Sequence, residues 1–161
     1  MFDSKNELYL KIILIISFTA LIFAYFVEHI LGHQPCNLCI IERIPYGISI
    51  ILIAIIFIIK KNQKFLTLLL ILTFAFSFTI SIYHYGIEQG FFEESTVCSA
   101  GNFTENITKE DLLKELSKKT ISCKDVTFRF FGFSLTSINV VLSLLFIITL
   151  IKIFIKYEKN K

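Results

Sequence analysis

The chain has 161 residues, of which 55% are hydrophobic and 18% are charged, and its formal net charge is +3. A water-soluble domain of this size would have too few polar residues to cover its surface, so the composition excludes that class. The apolar residues run in long blocks without polar/apolar alternation, which argues against a membrane barrel and predicts membrane-spanning helices.

Four blocks contain no Asp, Glu, Lys or Arg: 12–27, 44–59, 65–87 and 130–151. A helix needs about 20 residues, with a range of about 17–25, to cross the hydrocarbon layer. The first two blocks are slightly short, but apolar flanks and snorkelling lysines extend them. We therefore predict an all-α membrane protein, a single integral membrane domain over residues 1–161 that forms a four-transmembrane-helix bundle. The predicted helices span about 8–31, 44–60, 65–87 and 130–156.

The first block follows Lys5 and Lys11, as the core of a signal peptide would. Its apolar stretch is too long for that role, and no small-x-small cleavage site follows it. We therefore predict that this segment stays in the mature protein as a membrane helix.

The distribution of lysine predicts how the helices are oriented. Nine lysines fall at the start, in the link between the second and third helices, and in the tail: Lys5, Lys11, Lys60, Lys61, Lys64, Lys152, Lys156, Lys159 and Lys161. The positive-inside rule places these segments and both termini in the cytoplasm, with a short loop at 32–43 and a long loop at 88–129 outside. The net positive charge then belongs to the inner face, and we predict no nucleic-acid partner.

All four cysteines, Cys36, Cys39, Cys98 and Cys123, fall in the two predicted outer loops. That side is the oxidising compartment, where disulfides form and persist. Cys98 and Cys123 could equally well form a simple structural disulfide across the long loop. A zinc site is less well supported, because the second pair is separated by 25 residues and matches no zinc-knuckle spacing. We predict no metal ligands.

The first pair lies in the stretch PCNLCIIER, residues 35–43. A disulfide across two residues constrains the unfolded chain little, so this spacing favours redox activity over a structural role. If a helix starts at Pro35, then Cys36, Cys39 and Arg43 share one face, and the helix N-terminus and the guanidinium both favour a thiolate. Arg43 could hold a carbonyl oxygen of a bound acceptor, or it could simply anchor the helix in the headgroup region. Glu42 is predicted to point to another face and to be solvated.

Polar residues gather at the same level of the predicted helices: Glu28, His29, His84, Glu88, Ser134, Thr136, Ser137 and Asn139. Each alone could be solvated by headgroups or could cap a helix, but together they indicate a polar pocket at the outer rim. The chain contains no dinucleotide-binding or haem-attachment motif, so a lipid-soluble two-electron acceptor such as a quinone fits best. In the long loop, residues 108–119 predict an amphipathic helix on the membrane lipid or against a partner.

These stretches resemble the DsbB family, the bacterial disulfide bond formation protein B. The resemblance rests on PCNLCIIER, YHYGIEQGF, the later cysteine pair and FRFFGFSLTSIN, in that order over nearly the whole chain. The vitamin K epoxide reductase group, which would run electrons the other way, places its membrane Cys-x-x-Cys late in the chain, whereas here it is early.

The resemblance implies a disulfide relay in the bacterial inner membrane, with the cysteine loops in the periplasm. A DsbA-like thiol oxidase would attack Cys98, while Cys123 would be its partner and could bridge to Cys36. Cys39 would be the thiolate that faces a membrane quinone, which would be either ubiquinone or menaquinone. Arg43 and His84 match quinone-site residues of the family.

Two other interpretations remain open at this point. The chain could be a DsbB relative that serves a dedicated partner instead of a general thiol oxidase. It could also be a non-enzymatic membrane protein with structural disulfides, although that interpretation gives no joint reason for Pro35, the Cys-x-x-Cys spacing and Arg43.

Overall fold

The computed structural model describes residues 4–59, 62–94, 98, 122–124, 129–130 and 132–159. Within them the chain forms four long helices, which are α1 (Ser4–His29), α2 (Asn37–Ile59), α3 (Gln63–Glu88) and α4 (Leu135–Lys159). A short antiparallel hairpin of β1 (Arg129–Phe130) and β2 (Phe133–Ser134) precedes α4. All four helices are long and apolar enough to cross a membrane, so the predicted all-α fold of four membrane-spanning helices is confirmed.

The helices form a bundle in which α3 packs most extensively against α4, then against α2, while α1 packs on α2. Away from the loops, the centre of the bundle is apolar: Leu10, Ile13, Ile53, Ile56, Leu70, Phe74, Phe146, Leu150 and Ile153. Phe74 meets Phe146 edge to face, with ring centroids 4.8 Å apart. Large apolar side chains such as Ile58 also cover the outer surface, as expected where helices face lipid.

Two helix boundaries differ most from those predicted. α2 begins at Asn37 and not near residue 44, because Glu42 and Arg43 are paired inside the bundle and do not end the helix. α4 begins at Leu135 and not near residue 130, because the hairpin occupies the start of that apolar block. The turn of this hairpin contains Gly132 at φ 87°, a backbone conformation that residues with a Cβ atom rarely adopt.

The predicted short outer loop therefore shrinks to the residues between His29 and Asn37. The amphipathic helix predicted at 108–119 lies outside the described residues, as does most of the long loop.

The chain turns back sharply at the end of α3. The backbone N–H groups of Phe91 and Phe92 both donate to the carbonyl oxygen of Gly86, at 2.8 and 3.3 Å. A Cβ atom at position 86 would overlap the ring of Phe92, which stacks on Tyr83. Glycine at this position thus lets the start of the long loop fold over α3, with Phe92 against Tyr83.

Candidate functional site

The site lies at one end of the bundle, which we call the loop end: it is formed by the C-termini of α1 and α3 and the N-termini of α2 and α4. A cavity of about 500 Å³ opens there. Its polar lining includes residues of α2, α3 and α4 and of both cysteine pairs: Cys36, Cys39, Glu42, Arg43, His84, Glu88, Cys123, Thr136 and Asn139. Five of the six predicted site residues line it, as do four of the eight polar residues from which the sequence predicted a pocket: His84, Glu88, Thr136 and Asn139.

Cys36 and Cys39 sit at the start of α2 and are not joined to each other. Cys36 immediately precedes the helix, and its sulfur accepts a hydrogen bond from the backbone N–H of Cys39, at 3.2 Å. It occupies the position of a helix N-cap, where an anion is favoured.

Hydrogen bonding from Cys39 lowers the pKa of Cys36 to about 5; burial opposes this shift, and the imidazole of His84 reinforces it. Cys36 is therefore a thiolate at neutral pH in this arrangement. The assignment of Cys39 as the thiolate that faces a quinone stays a prediction.

His84 is 1% exposed and projects from α3 toward the first cysteine pair. Its Nε2 lies 3.5 Å from Cys36 Sγ, and its Nδ1 lies 2.9 Å from an oxygen of Glu42. Because a carboxylate oxygen accepts hydrogen bonds, this contact assigns the proton to Nδ1 and leaves Nε2 facing the sulfur. His84 is thus held in one orientation by α2.

Glu42 was predicted to be solvated, and that prediction is wrong. Its residue is only 8% exposed, one carboxylate oxygen pairs with His84, and the other accepts a hydrogen bond from Asn139 Nδ2 at 2.9 Å. The signal was present in the sequence: Glu42 follows Cys39 by three residues, which places it on the same side of a helix.

The polar contacts continue from Glu42 into the bundle. Asn139 also bonds to Ser81 at 2.8 Å and accepts a hydrogen bond from the hydroxyl of Tyr46. Thr136 of α4 donates to Glu88 of α3 at 2.6 Å. Buried polar side chains are costly at membrane depth, so a connected group of them beside reactive sulfurs indicates a functional site.

Contacts with side chains of α1 hold the guanidinium of Arg43 in place. It donates to Glu28, and its guanidinium carbon lies 5.0 Å from the ring centroid of Tyr25. The side chain is 16% exposed and lines the cavity, so it is directed into the bundle more than into the headgroup region. A guanidinium has five N–H donors, and pairing with Glu28 leaves others for a ligand.

The second cysteine pair is a disulfide between Cys98 and Cys123, and both residues are buried. These residues pack in one cluster with Cys36, Leu38 and Ile87. A structural disulfide would not need to lie against a second thiol pair, whereas a relay requires that proximity. Cys98 is the one predicted site residue that is not in the cavity lining.

The rest of the cavity wall is apolar and suits a lipid-soluble ring. Its side chains come largely from α1 and α4: Ile15, Ile16, Ala20, Leu21, Phe23, Leu135, Ile138 and Leu142. These two helices touch each other only slightly. A molecule with an apolar tail could therefore reach the polar end of the cavity while its tail lies between α1 and α4.

Comparison with known proteins agrees with this geometry. The model of the family described as "Disulfide bond formation protein DsbB" matches residues 6–153, a span that contains both cysteine pairs. The chain is also similar to uncharacterized protein RP370 of Rickettsia prowazekii (strain Madrid E), with 30% identity over 152 residues. That match covers 93% of this chain and 88% of the relative.

Proposed function

The chain belongs to the DsbB family, and from that premise we propose that it re-oxidises a DsbA-like thiol oxidase and passes the electrons to a membrane quinone. The observation that carries this proposal is the meeting of two cysteine pairs at one cavity. There, Cys36 and Cys39 form a dithiol, and Cys123 belongs to a disulfide packed beside them. In a relay, this is the state after the electrons have reached Cys36 and Cys39 and before an acceptor removes them. The first pair is then reduced and the second pair is again a disulfide.

The proposed relay is a series of thiol–disulfide exchanges. A thiolate of the partner attacks Cys98 and releases Cys123, and the partner's second thiol then completes its own disulfide. Cys123 next attacks Cys36 of an oxidised Cys36–Cys39 pair and releases Cys39. Cys98 then attacks Cys123, which restores their disulfide and leaves Cys36 and Cys39 reduced.

The last step returns Cys36 and Cys39 to a disulfide and releases two electrons and the one thiol proton that remains beside the Cys36 thiolate. Both electrons pass to the quinone, which is reduced to a hydroquinone with that proton and a second one from solvent. Because the pKa of Cys36 is about 5, its sulfur is a good leaving group when Cys98 attacks Cys123 and displaces Cys36. His84, held by Glu42, presents Nε2 beside this sulfur and is placed to move a proton there. Arg43 offers N–H donors to a carbonyl oxygen in the cavity.

The direction of electron flow follows from redox potential. A DsbA-like oxidase has a potential near −120 mV, so its re-oxidation needs an acceptor of higher potential, and quinones meet that condition. The family supports the bacterial inner membrane, and the lysine distribution supports an orientation with both termini in the cytoplasm and the loop end in the periplasm.

Anaerobic turnover of the purified protein tests this function. We expect reduced DsbA-like donor and added quinone to be consumed in equal amounts, and we expect Cys39→Ser to abolish the reaction. Thr79→Ala, an exposed change on α3, should leave the rate unchanged. Full turnover in Cys39→Ser would contradict the proposal, as would no turnover in the parent when donor and quinone are each shown to be competent.

A further inference from the structure

Three side chains at the loop end bring soft metal-binding atoms together. Cys36, Cys39 and His84 each offer one ligand atom, and these atoms all lie within 4.8 Å of one another. Zinc binds thiolates at about 2.3 Å and imidazoles at about 2.0–2.1 Å, so tetrahedral angles place sulfur and nitrogen about 3.5 Å apart. The distance from Cys36 Sγ to His84 Nε2 is 3.5 Å. This pair is therefore already spaced as two ligands of one tetrahedral ion.

The surroundings of His84 provide a second, independent indication. Metal-binding histidines commonly donate their other ring N–H to a carboxylate, which fixes the tautomer and aims the free nitrogen at the ion. Here Glu42 accepts from Nδ1 at 2.9 Å, and Glu42 is itself fixed by Asn139 at 2.9 Å. The orientation of the third ligand is thus set before any ion arrives.

We propose that the reduced site binds one thiophilic divalent cation of the zinc and cadmium class through Cys36 Sγ, Cys39 Sγ and His84 Nε2. The fourth position would face the cavity and accept water or another small ligand. Two thiolates and an imidazole are soft and borderline donors, which favours this class over magnesium or calcium. The sequence did not suggest the site because its third ligand lies on a different helix, far along the chain from the cysteine pair.

Binding of this cation depends on the redox state of the cysteines. Oxidation of Cys36 and Cys39 to a disulfide removes the negative charge of both thiolates, and a neutral disulfide sulfur is a poor metal ligand, so the oxidised pair cannot form the site. Conversely, a bound ion keeps both sulfurs from forming a disulfide. The ion is therefore an inhibitor that holds the protein in its reduced state.

Cadmium titration of quinone-depleted, reduced protein tests this proposal. The full chain is used with Cys98→Ser and Cys123→Ser, so that Cys36 and Cys39 are the remaining thiols, and the reductant is a phosphine without thiols. We expect the ultraviolet charge-transfer band of a cadmium thiolate to saturate at one ion per chain, with zinc competing for the same site. Cys36→Ser should abolish the band.

The contribution of His84 separates this site from an ordinary dithiol. Removing a carboxylate that orients a metal-bound histidine typically costs about 10–100-fold in affinity, so we expect Glu42→Gln to weaken cadmium binding by that factor. His84→Gln should weaken it at least as much, whereas His29→Gln, at an exposed histidine on α1, should not change it. Equal affinity in the parent and in a folded His84→Gln variant would overturn the proposal.

If the double serine variant does not fold, the same titration is made on the fully reduced natural chain with and without His84→Gln. Helical circular dichroism and the thermal midpoint show whether each variant is folded. Because no quinone or donor is present, failure of metal binding leaves the proposed electron relay standing, and failure of turnover leaves the metal site standing.

Discussion

The two ends of the bundle bury different kinds of side chain. Near the chain termini, Leu10, Ile53 and Leu70 are fully buried among other apolar groups. At the loop end, the buried side chains include Glu42 and His84, which bond to each other and to neighbours on α3 and α4. In lipid, the apolar side chains at that end are held by close packing, since the tails outside are equally apolar, and Tyr157 adds a hydrogen bond to Gln63 at 3.2 Å. The polar end costs free energy to bury, so its persistence points to chemistry.

This difference predicts that substitutions at one end affect mainly stability, whereas substitutions at the other end affect mainly activity. Changes at the apolar end should lower stability and leave the activity of the folded protein intact. Changes at the loop end should lower activity more than stability.

The largest expected effect concerns the titration of Cys36. An ordinary cysteine has a pKa of about 8.5, whereas hydrogen bonding from Cys39 lowers the pKa of Cys36 to about 5. Since the folded pKa is depressed, the thiolate stabilises the fold fully above the unfolded pKa, and this contribution is lost as pH falls toward 5. Thiolate absorbance measured against pH, with Cys98 and Cys123 replaced by serine, should show an inflection near pH 5. A single inflection near pH 8–9 would show that Cys36 is an ordinary thiol.

At the apolar end, Phe74→Ala should lower the free energy of unfolding by about 3–5 kcal/mol, because it removes the ring that meets Phe146 and Tyr46. Unfolding in mixed detergent micelles measures the loss. The rate of quinone reduction per folded molecule should stay within about twofold of the parent. Loss of activity without loss of stability would show that the two ends are not separate.

At the loop end, Glu42→Gln should lower the rate of quinone reduction by about 100-fold, since misplacing a reacting group by about 1 Å can cost that factor. Whichever way the new amide turns, its NH₂ group faces a donor, either His84 Nδ1–H or the amide of Asn139. Steady-state kinetics with a reduced donor measures the rate, and Ser122→Ala serves as a control in the loop. An unchanged rate would reduce Glu42 to a packing role.

The smallest expected effect is that of Arg43→Ala on quinone affinity. Hydrogen bonds to charged groups contribute about 1.5–3 kcal/mol, so the KM for quinone should rise by at least about tenfold. Thermal stability should fall less, because the pairing with Glu28 is partly exposed to solvent. If KM is unchanged while stability falls, then Arg43 acts as an anchor between α1 and α2.

The sequence predicted the helices well because two of the apolar blocks are long enough to cross a membrane without a charge, and flanking residues extend the other two. It placed the start of α2 too late because the charges of Glu42 and Arg43 were taken as the end of the span. In the bundle, both side chains have partners on other helices. Such partners depend on how the helices pack, which the local pattern does not reveal. His84 was identified through family resemblance, whereas its bond to Glu42 became visible only in the folded bundle.

The cysteines show the same limit. Their positions at the loop end followed from the predicted spans, but the packing of Cys36 against the disulfide of Cys98 and Cys123 did not. The spacing of Cys98 and Cys123 is equally suited to a structural disulfide, and only their contact with the first pair favours a relay.

The most direct test of the relay is whether Cys36 and Cys123 can join. In a variant with Cys39→Ser and Cys98→Ser, these two thiols are the only ones left, and both line one cavity. We expect mild oxidation to link them within a single chain, as peptide mapping by mass spectrometry would show. Thiols that stay free, or that link only between separate chains, would contradict the claim that the two pairs exchange electrons at one site.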